Sequence, residues 1–177
     1  MNIVIVGYRC TGKSSVGKIL ADTLAWDFVD TDCLISLREK ADIHEIISAK
    51  GWKYFRYQER NVVHELSEKD KLVIATGGGV VNYDSNVNSL KKNGFVVWLK
   101  ADSDIIRSRM ENDIQTSSMR PSLTGGNLFD EIQEMLKKRT PYYKKAADIE
   151  VDTGAMSPFE ITNHIIGEYS ARYPDLR

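Results

Sequence analysis

"IVIVGYRCTGKSSVG", residues 3–17, decides the fold. A β-branched apolar run over residues 2–6 ends at Gly7, which predicts a short buried strand. Val16, Ile19, Leu20 and Leu24 then recur at helical spacing, which predicts a helix from Gly12 or Lys13 to about Trp26. Between the two, GYRCTGKS fits G-x-x-x-x-G-K-[ST] from Gly7 to Ser14, in the strand-to-helix context that this motif requires. Backbone N–H groups of Cys10, Thr11, Gly12, Lys13, Ser14 and Ser15 can turn inward around phosphate oxygens. The new helix presents its positive end to the anion. Gly7 and Gly12 allow a backbone approach that a Cβ would obstruct. Lys13 supplies a cation for the β and γ phosphates, and the Ser14 hydroxyl can ligate Mg²⁺. Cys10 reads as a small residue contributing its N–H, since no candidate base pairs with it in the sequence, and Cys33 reads the same way. Arg9-Cys10-Thr11 is an unusual filling for a motif that mostly needs backbone, and reads as a tolerated variation.

Outward from this loop, strands and helices alternate. WDFVDTD predicts a second strand ending at Asp30 or Asp32. Residues 33–69 hold two or three helices, broken near Ala41–Asp42 and Gly51. KLVIATGGG predicts a third strand running into three glycines, 84–93 a helix, and GFVVWLK a fourth strand. A helix capped by Asp102 or Ser103 follows, then a polar segment, ENDIQTSSMRPSLTGGN, that reads as a mobile loop. Helix over 128–144, a fifth strand in ADIEVDT and a helix over 157–173 complete the chain. The alternation predicts one parallel sheet with helices on both faces, undivided by any linker or repeat.

The chain has 177 residues, enough for one compact domain. Its net charge of −1 argues against a general nucleic-acid binder. Two cysteines are too few for a disulfide framework, and no Cys/His cluster suggests structural zinc. With no charged leader ahead of the first strand and no apolar run of membrane-spanning length, the expectation is a reduced, cytoplasmic setting with no membrane partner.

Groups that could hold a phosphate acceptor belong at the carboxyl ends of the strands. Asp30 and Asp32 alternate after the second strand, which puts both carboxylates on one side of an extended segment. A carboxylate there can hold Mg²⁺ through water or accept a hydroxyl proton; it can equally cap the helix that follows. Gly77, Gly78 and Gly79 favour close approach to a ligand over a plain flexible turn. Arg56 and Arg139 can each bond a carboxylate bidentately, and Glu59 can pair with Arg56 along a helix, either for structure or to aim it. Arg120 can close over a nucleotide and neutralise transition-state charge. His44, His64 and His164 lack ligand spacing and read as ordinary surface or satisfied residues. Trp26, Trp52 and Trp98 read as packing in the core or at element ends.

In this order the elements resemble the shikimate kinase family, over nearly the whole chain: GYRCTGKSSVGKILA, DTD at 30–32, FR at 55–56 with Glu59, GGG at 77–79, RPSL at 120–123, KRTPYY at 138–143 and VDT at 151–153. The resemblance implies a three-layer α-β-α fold around a five-stranded parallel sheet, of the P-loop NTPase and nucleoside monophosphate kinase type. It implies an ATP- and Mg²⁺-dependent transfer to the 3-hydroxyl of shikimate, by a cytoplasmic monomer. Asp30 and Ser14 would lie near the magnesium. Asp32 would bind ring hydroxyls, Arg56 and Arg139 would clasp the carboxylate, and the glycine turn would offer its backbone at Gly78. Lys13, Asp32 and Arg120 would carry the catalysis. Arg109 and Pro158 would sandwich adenine. The family's acceptor-binding segment falls here at about 31–60 and its lid at about 112–124. Ser15 and Ser122 depart from the family's usual Thr and Leu. Alternatives are gluconate kinase, a nucleoside monophosphate kinase, or a non-catalytic nucleotide-binding module.

Overall fold

The computed structural model describes residues 1–112 and 128–174. The elements run β1 (Asn2–Val6), α1 (Lys13–Leu24), β2 (Asp27–Asp30), α2 (Thr31–Glu39), α3 (Ile43–Ser67), β3 (Leu72–Ala75), a 3₁₀ turn (Val80–Asn82), α4 (Asp84–Lys92), β4 (Gly94–Lys100), α5 (Ser103–Asn112), α6 (Leu128–Ala146), β5 (Ile149–Asp152) and α7 (Pro158–Arg172). The five strands form one parallel sheet in the order β2-β3-β1-β4-β5. The three-layer expectation from the sequence is met.

Both faces of the sheet are covered, and the period-two alternation of the strands divides the core. Val4, Val6, Ile74, Val96 and Trp98 pack on one face against Ile35, Phe55, Val62, Val63 and Leu66 of α2 and α3, with Leu90 of α4 and Tyr143 of α6. Ile3, Ile5, Val73, Val97, Leu99 and Val151 pack on the other against Val16 and Leu20 of α1 and Ile161 and Ile165 of α7. Each such side chain, fully buried, contributes about 1.5–3 kcal/mol, so the central strands tolerate no polar substitution. A smaller cluster of Tyr8, Ile106 and Ile132 fills the angle between α5 and α6.

Local chemistry sets the boundaries. Asp102, whose carbonyl accepts from Ile106 N at 3.0 Å, starts α5, and Ser157 starts α7 through a capping box with Glu160. The expected break at Gly51 is a kink inside α3, where φ is 79° and ψ is 164°. A residue with a Cβ would be strained there. The second strand ends at Asp30, because Asp30 caps α2: its Oδ1 accepts from Asp32 N at 3.0 Å and Cys33 N at 3.2 Å. Asp32 therefore sits in the first turn of α2. The extended segment expected to place both carboxylates on one side is not formed, since the cap turns the chain into helix one residue after Asp30. His44, His64 and His164 are all exposed. Trp98 is buried, while Trp52 is 48 % exposed and lies just after the Gly51 kink.

Candidate active site

The loops after β1, β2 and β3 open on one edge of the sheet, with β1 central. The loop after β1 is shaped by close contacts. A Cβ on Gly7 would lie 2.4 Å from the Leu99 carbonyl oxygen, so the chain passes against β4 only as glycine. The Tyr8 carbonyl accepts from Thr11 Oγ1 at 2.8 Å and from Lys13 Nζ at 2.7 Å. Cys10 (φ 59°) and Gly12 (φ 91°) both take left-handed backbone. Gly12 is the N-cap of α1 and gives it no side-chain cap, and the first turn carries no acidic residue. The helix start therefore presents its N–H groups and positive end to an anion.

Ser14, in that first turn, donates its hydroxyl to Asp30 Oδ2 at 2.7 Å. The two readings of Asp30 thus coexist: one carboxylate oxygen caps α2 and the other faces the phosphate loop. A hydroxyl and a carboxylate side by side are hard oxygen donors that suit Mg²⁺, which typically takes one or two protein oxygens and completes its shell with water and phosphate. Among the described residues no group of three or more His, Cys, Asp and Glu is arranged to hold a metal on its own.

The glycine turn after β3 brings the acceptor-side residues together. A Cβ on Gly77 would lie 2.6 Å from Asp32 Oδ1, and one on Gly79 would lie 2.6 Å from Arg56 Nη2. Arg139 Nη1 reaches the Gly78 carbonyl at 3.2 Å, as does the Tyr143 hydroxyl at 2.5 Å. Successive glycines therefore abut an aspartate, the helix carrying Arg139, and Arg56. Arg56 is aimed by Glu59, whose Oε1 accepts from Nη1 at 2.7 Å, and its guanidinium lies 5.2 Å from the Trp52 ring centroid and 5.1 Å from that of Phe55. Burial pushes the pKa of Glu59 up, and the Arg56 charge opposes that rise. Asp32 and Arg139 also act on Glu59 electrostatically, so one field spans all four groups. Burial likewise raises the pKa of the Tyr143 hydroxyl, which stays a proton donor at any ordinary pH.

On the other side of the phosphate loop lies an open cleft of about 290 Å³, lined by Cys10, Thr11, Gly12, Ser15, Val16, Arg109, Thr153, Met156, Pro158 and Ile161. Arg109 is pinned across it: Nη2 donates to the Thr153 carbonyl at 2.7 Å, and Nη1 to Thr153 Oγ1 at 3.0 Å and the Cys10 carbonyl at 3.3 Å. A planar guanidinium and a proline ring in one cleft suit a flat heterocycle attached to phosphates.

A family model described as "Shikimate kinase" matches residues 9–170. The chain belongs to the shikimate kinase family. Shikimate kinase of Thermodesulfovibrio yellowstonii is 42% identical over 95% of this chain and 94% of its own length. That of Syntrophus aciditrophicus is 38% identical over 97% and 92%. Among solved structures, a shikimate kinase from Acinetobacter baumannii in complex with shikimate superposes with a TM-score of 0.90 at 30% identity, covering 99% of this chain and 95% of that one. A gluconokinase from Sinorhizobium meliloti, at TM-score 0.60 and 17% identity over 99% and 94%, shares the fold alone.

Within this member of the shikimate kinase family, the expected residues fall into two adjoining groups. Cys10, Thr11, Gly12, Ser15, Arg109 and Pro158 line the cleft. Asp32, Arg56, Gly77, Gly78, Gly79 and Arg139 meet at the glycine turn. Lys13, Ser14 and Asp30 stand between them, at the start of α1 and the end of β2. Arg120, and the expected lid from residue 113 onward, lie outside the described residues. Sequence reasoning assigned no role to three residues, although two of them lie in the KRTPYY and VDT motifs. Thr153 directly follows β5 and fixes Arg109. Tyr143 grips Gly78. Glu131, with a side chain 0% exposed, takes Arg9 Nη2 at 2.6 Å in a buried ion pair. Arg9 is therefore a structural strut from the phosphate loop to α6, where the sequence suggested an incidental filling. The presence of a charge in a loop that needs only backbone was the available signal; its partner was not visible.

Proposed function

We propose that this chain transfers the γ-phosphoryl group of ATP to the 3-hydroxyl of shikimate, giving shikimate 3-phosphate and ADP for aromatic amino acid (chorismate) biosynthesis. One observation carries the choice of acceptor: Asp32, Arg56 and the Arg139 helix abut three consecutive glycines of one turn, beside the phosphate loop. Two guanidinium forks suit the single carboxylate of shikimate, and an aspartate suits its hydroxyls.

In this reading ATP lies with adenine between Arg109 and Pro158 and its phosphates in the loop from Cys10 to Ser15. Lys13, held by the Tyr8 carbonyl in this structure, turns to the β and γ phosphates. Arg56 and Arg139 fix the acceptor through its carboxylate, with the backbone of Gly77, Gly78 and Gly79 beneath it. Asp32 orients the attacking hydroxyl and accepts its proton. Ser14 and Asp30 would hold Mg²⁺, which supplies charge neutralisation on the transferring phosphate. Little covalent chemistry is asked of the protein; alignment and fixed charge, with Arg120 from the lid, supply the acceleration. The domain works as one unit, with an acceptor-binding segment at 31–60 and a lid at 112–124, as a cytoplasmic monomer. No helix among the described residues is long and apolar enough to cross a membrane.

Coupled ADP release, measured with shikimate, gluconate and nucleoside monophosphates in turn, tests the proposal. Release with shikimate far above the others is expected. Faster release with gluconate would transfer the assignment to the runner-up, and no release with any acceptor would favour a binding module.

A further inference from the structure

Tyr143 carries a buried hydroxyl in the acceptor region that the reaction does not use. Its side chain is 0% exposed, and its ring stacks on Trp98, with centroids 5.7 Å apart and planes at 18°. Tyr143 follows Arg139 by one helical turn on α6, so both face the glycine turn. Both donate to the same atom, the Gly78 carbonyl oxygen. Among the described residues Arg139 Nε has no hydrogen-bond partner, so the guanidinium retains donor capacity beyond this bond.

A carbonyl oxygen has two lone pairs and here takes two donors. The two donors differ in what else they can do. Arg139 has a long, planar fork that can turn to a carboxylate, a stronger acceptor than a neutral carbonyl. Tyr143 is locked by its stack and its burial and can serve only the carbonyl. Once Arg139 engages the acceptor, the carbonyl retains one donor, and the planar Gly78–Gly79 peptide keeps its tilt.

We propose that Tyr143 is a positioning residue that releases Arg139 for the acceptor carboxylate while holding the glycine turn in place. The inference rests on the shikimate reading above. Without the Tyr143 hydroxyl, Arg139 becomes the sole described donor to a half-buried carbonyl. Substrate must then compete with that carbonyl for the guanidinium.

Tyr143→Phe keeps the ring and its stack and removes one oxygen. The steady-state KM for shikimate is expected to rise about tenfold, with the KM for ATP within about twofold of wild type, since one such bond is worth about that factor. A purely structural role would lower the melting temperature and leave that split absent. Unchanged KM for shikimate, or equal rises for both substrates, overturns the inference. If the variant fails to fold, the wild type alone decides. The Tyr143 hydroxyl proton is expected as a slowly exchanging resonance in proton NMR that persists at saturating shikimate; its loss on adding shikimate overturns the inference. Wild-type enzyme that turns over ATP with another acceptor but not shikimate removes the shikimate reading and the inference with it.

Discussion

The Arg9–Glu131 pair gives a sharp stability test. The N···O distance is 2.6 Å, and the two side chains are 10% and 0% exposed. The pair lies beside the apolar cluster of Tyr8, Ile106 and Ile132, with Met135 and Leu136 packed against it. Ions so far from water carry a large desolvation penalty that their attraction and hydrogen bond offset. Arg9→Met removes the guanidinium and leaves the carboxylate in this setting, so the loss follows the rule for broken buried pairs, about 3–5 kcal/mol. For a chain of 177 residues each kcal/mol moves the melting temperature by about 2–4 °C. The melting temperature should fall by about 6–20 °C. The double variant Arg9→Met/Glu131→Leu removes both charges and extends the apolar cluster, so it should melt within a few degrees of wild type. Circular dichroism melts of the four proteins complete the cycle. Molar salt should change the wild-type coupling little, because a dry pair is poorly screened. An Arg9→Met melting point within about 2 °C of wild type, or a double variant as unstable as the sum of the singles, refutes the reasoning.

Four further outcomes separate the parts of the site. Gly79→Ala places a Cβ 2.6 Å from Arg56 Nη2 and displaces the fork; the KM for shikimate should rise about tenfold to a hundredfold with that for ATP unchanged, and a shared rise would remove Arg56 from the acceptor pocket. Gly77→Ala presses on Asp32 Oδ1 at 2.6 Å and should lower kcat with nucleotide affinity intact, whereas normal turnover would count against Asp32 as the hydroxyl partner. Burial raises the pKa of Glu59 above its ordinary 4.5, so folded protein holds that proton more tightly than unfolded chain. Its contribution to stability is full below about 4.5 and lost as pH rises through the raised value. The melting temperature of Glu59→Gln relative to wild type should therefore be higher near pH 7 than near pH 4, and melts at both pH values showing no such trend would exclude the burial argument. Cys10 lines the cleft proposed for nucleotide while Cys33 is exposed; ADP at about ten times its Kd should slow alkylation of Cys10 about tenfold and leave Cys33 as the internal control, and equal slowing of both would move the nucleotide elsewhere.

What the sequence discloses follows the range of the interaction. The phosphate loop is legible because its chemistry is backbone, and its glycines and flanking periodicities lie within one short stretch. The sheet is legible because strands buried on both faces are written as continuous apolar runs. Asp30 and Asp32 show where a local rule fails: alternation holds only while the chain stays extended, and Asp30 ends that by capping α2 with one oxygen while reaching Ser14 with the other. The residues proposed to touch substrate are visible by type, since few side chains other than arginine and aspartate suit carboxylates and hydroxyls. Glu59, which aims Arg56, is visible too because it lies one helical turn away, but the supports that come from distant elements are not. Glu131 meets Arg9 across 122 residues, and Tyr143 meets Gly78 across 65. Neither pairing leaves a periodic trace, because each depends on where β3 and α6 lie around the central strand. A tyrosine and a glutamate in one helix look alike whether they face solvent or hold a loop. Only the packed fold distinguishes them, so the supporting residues of this site are the ones whose variants carry the most information.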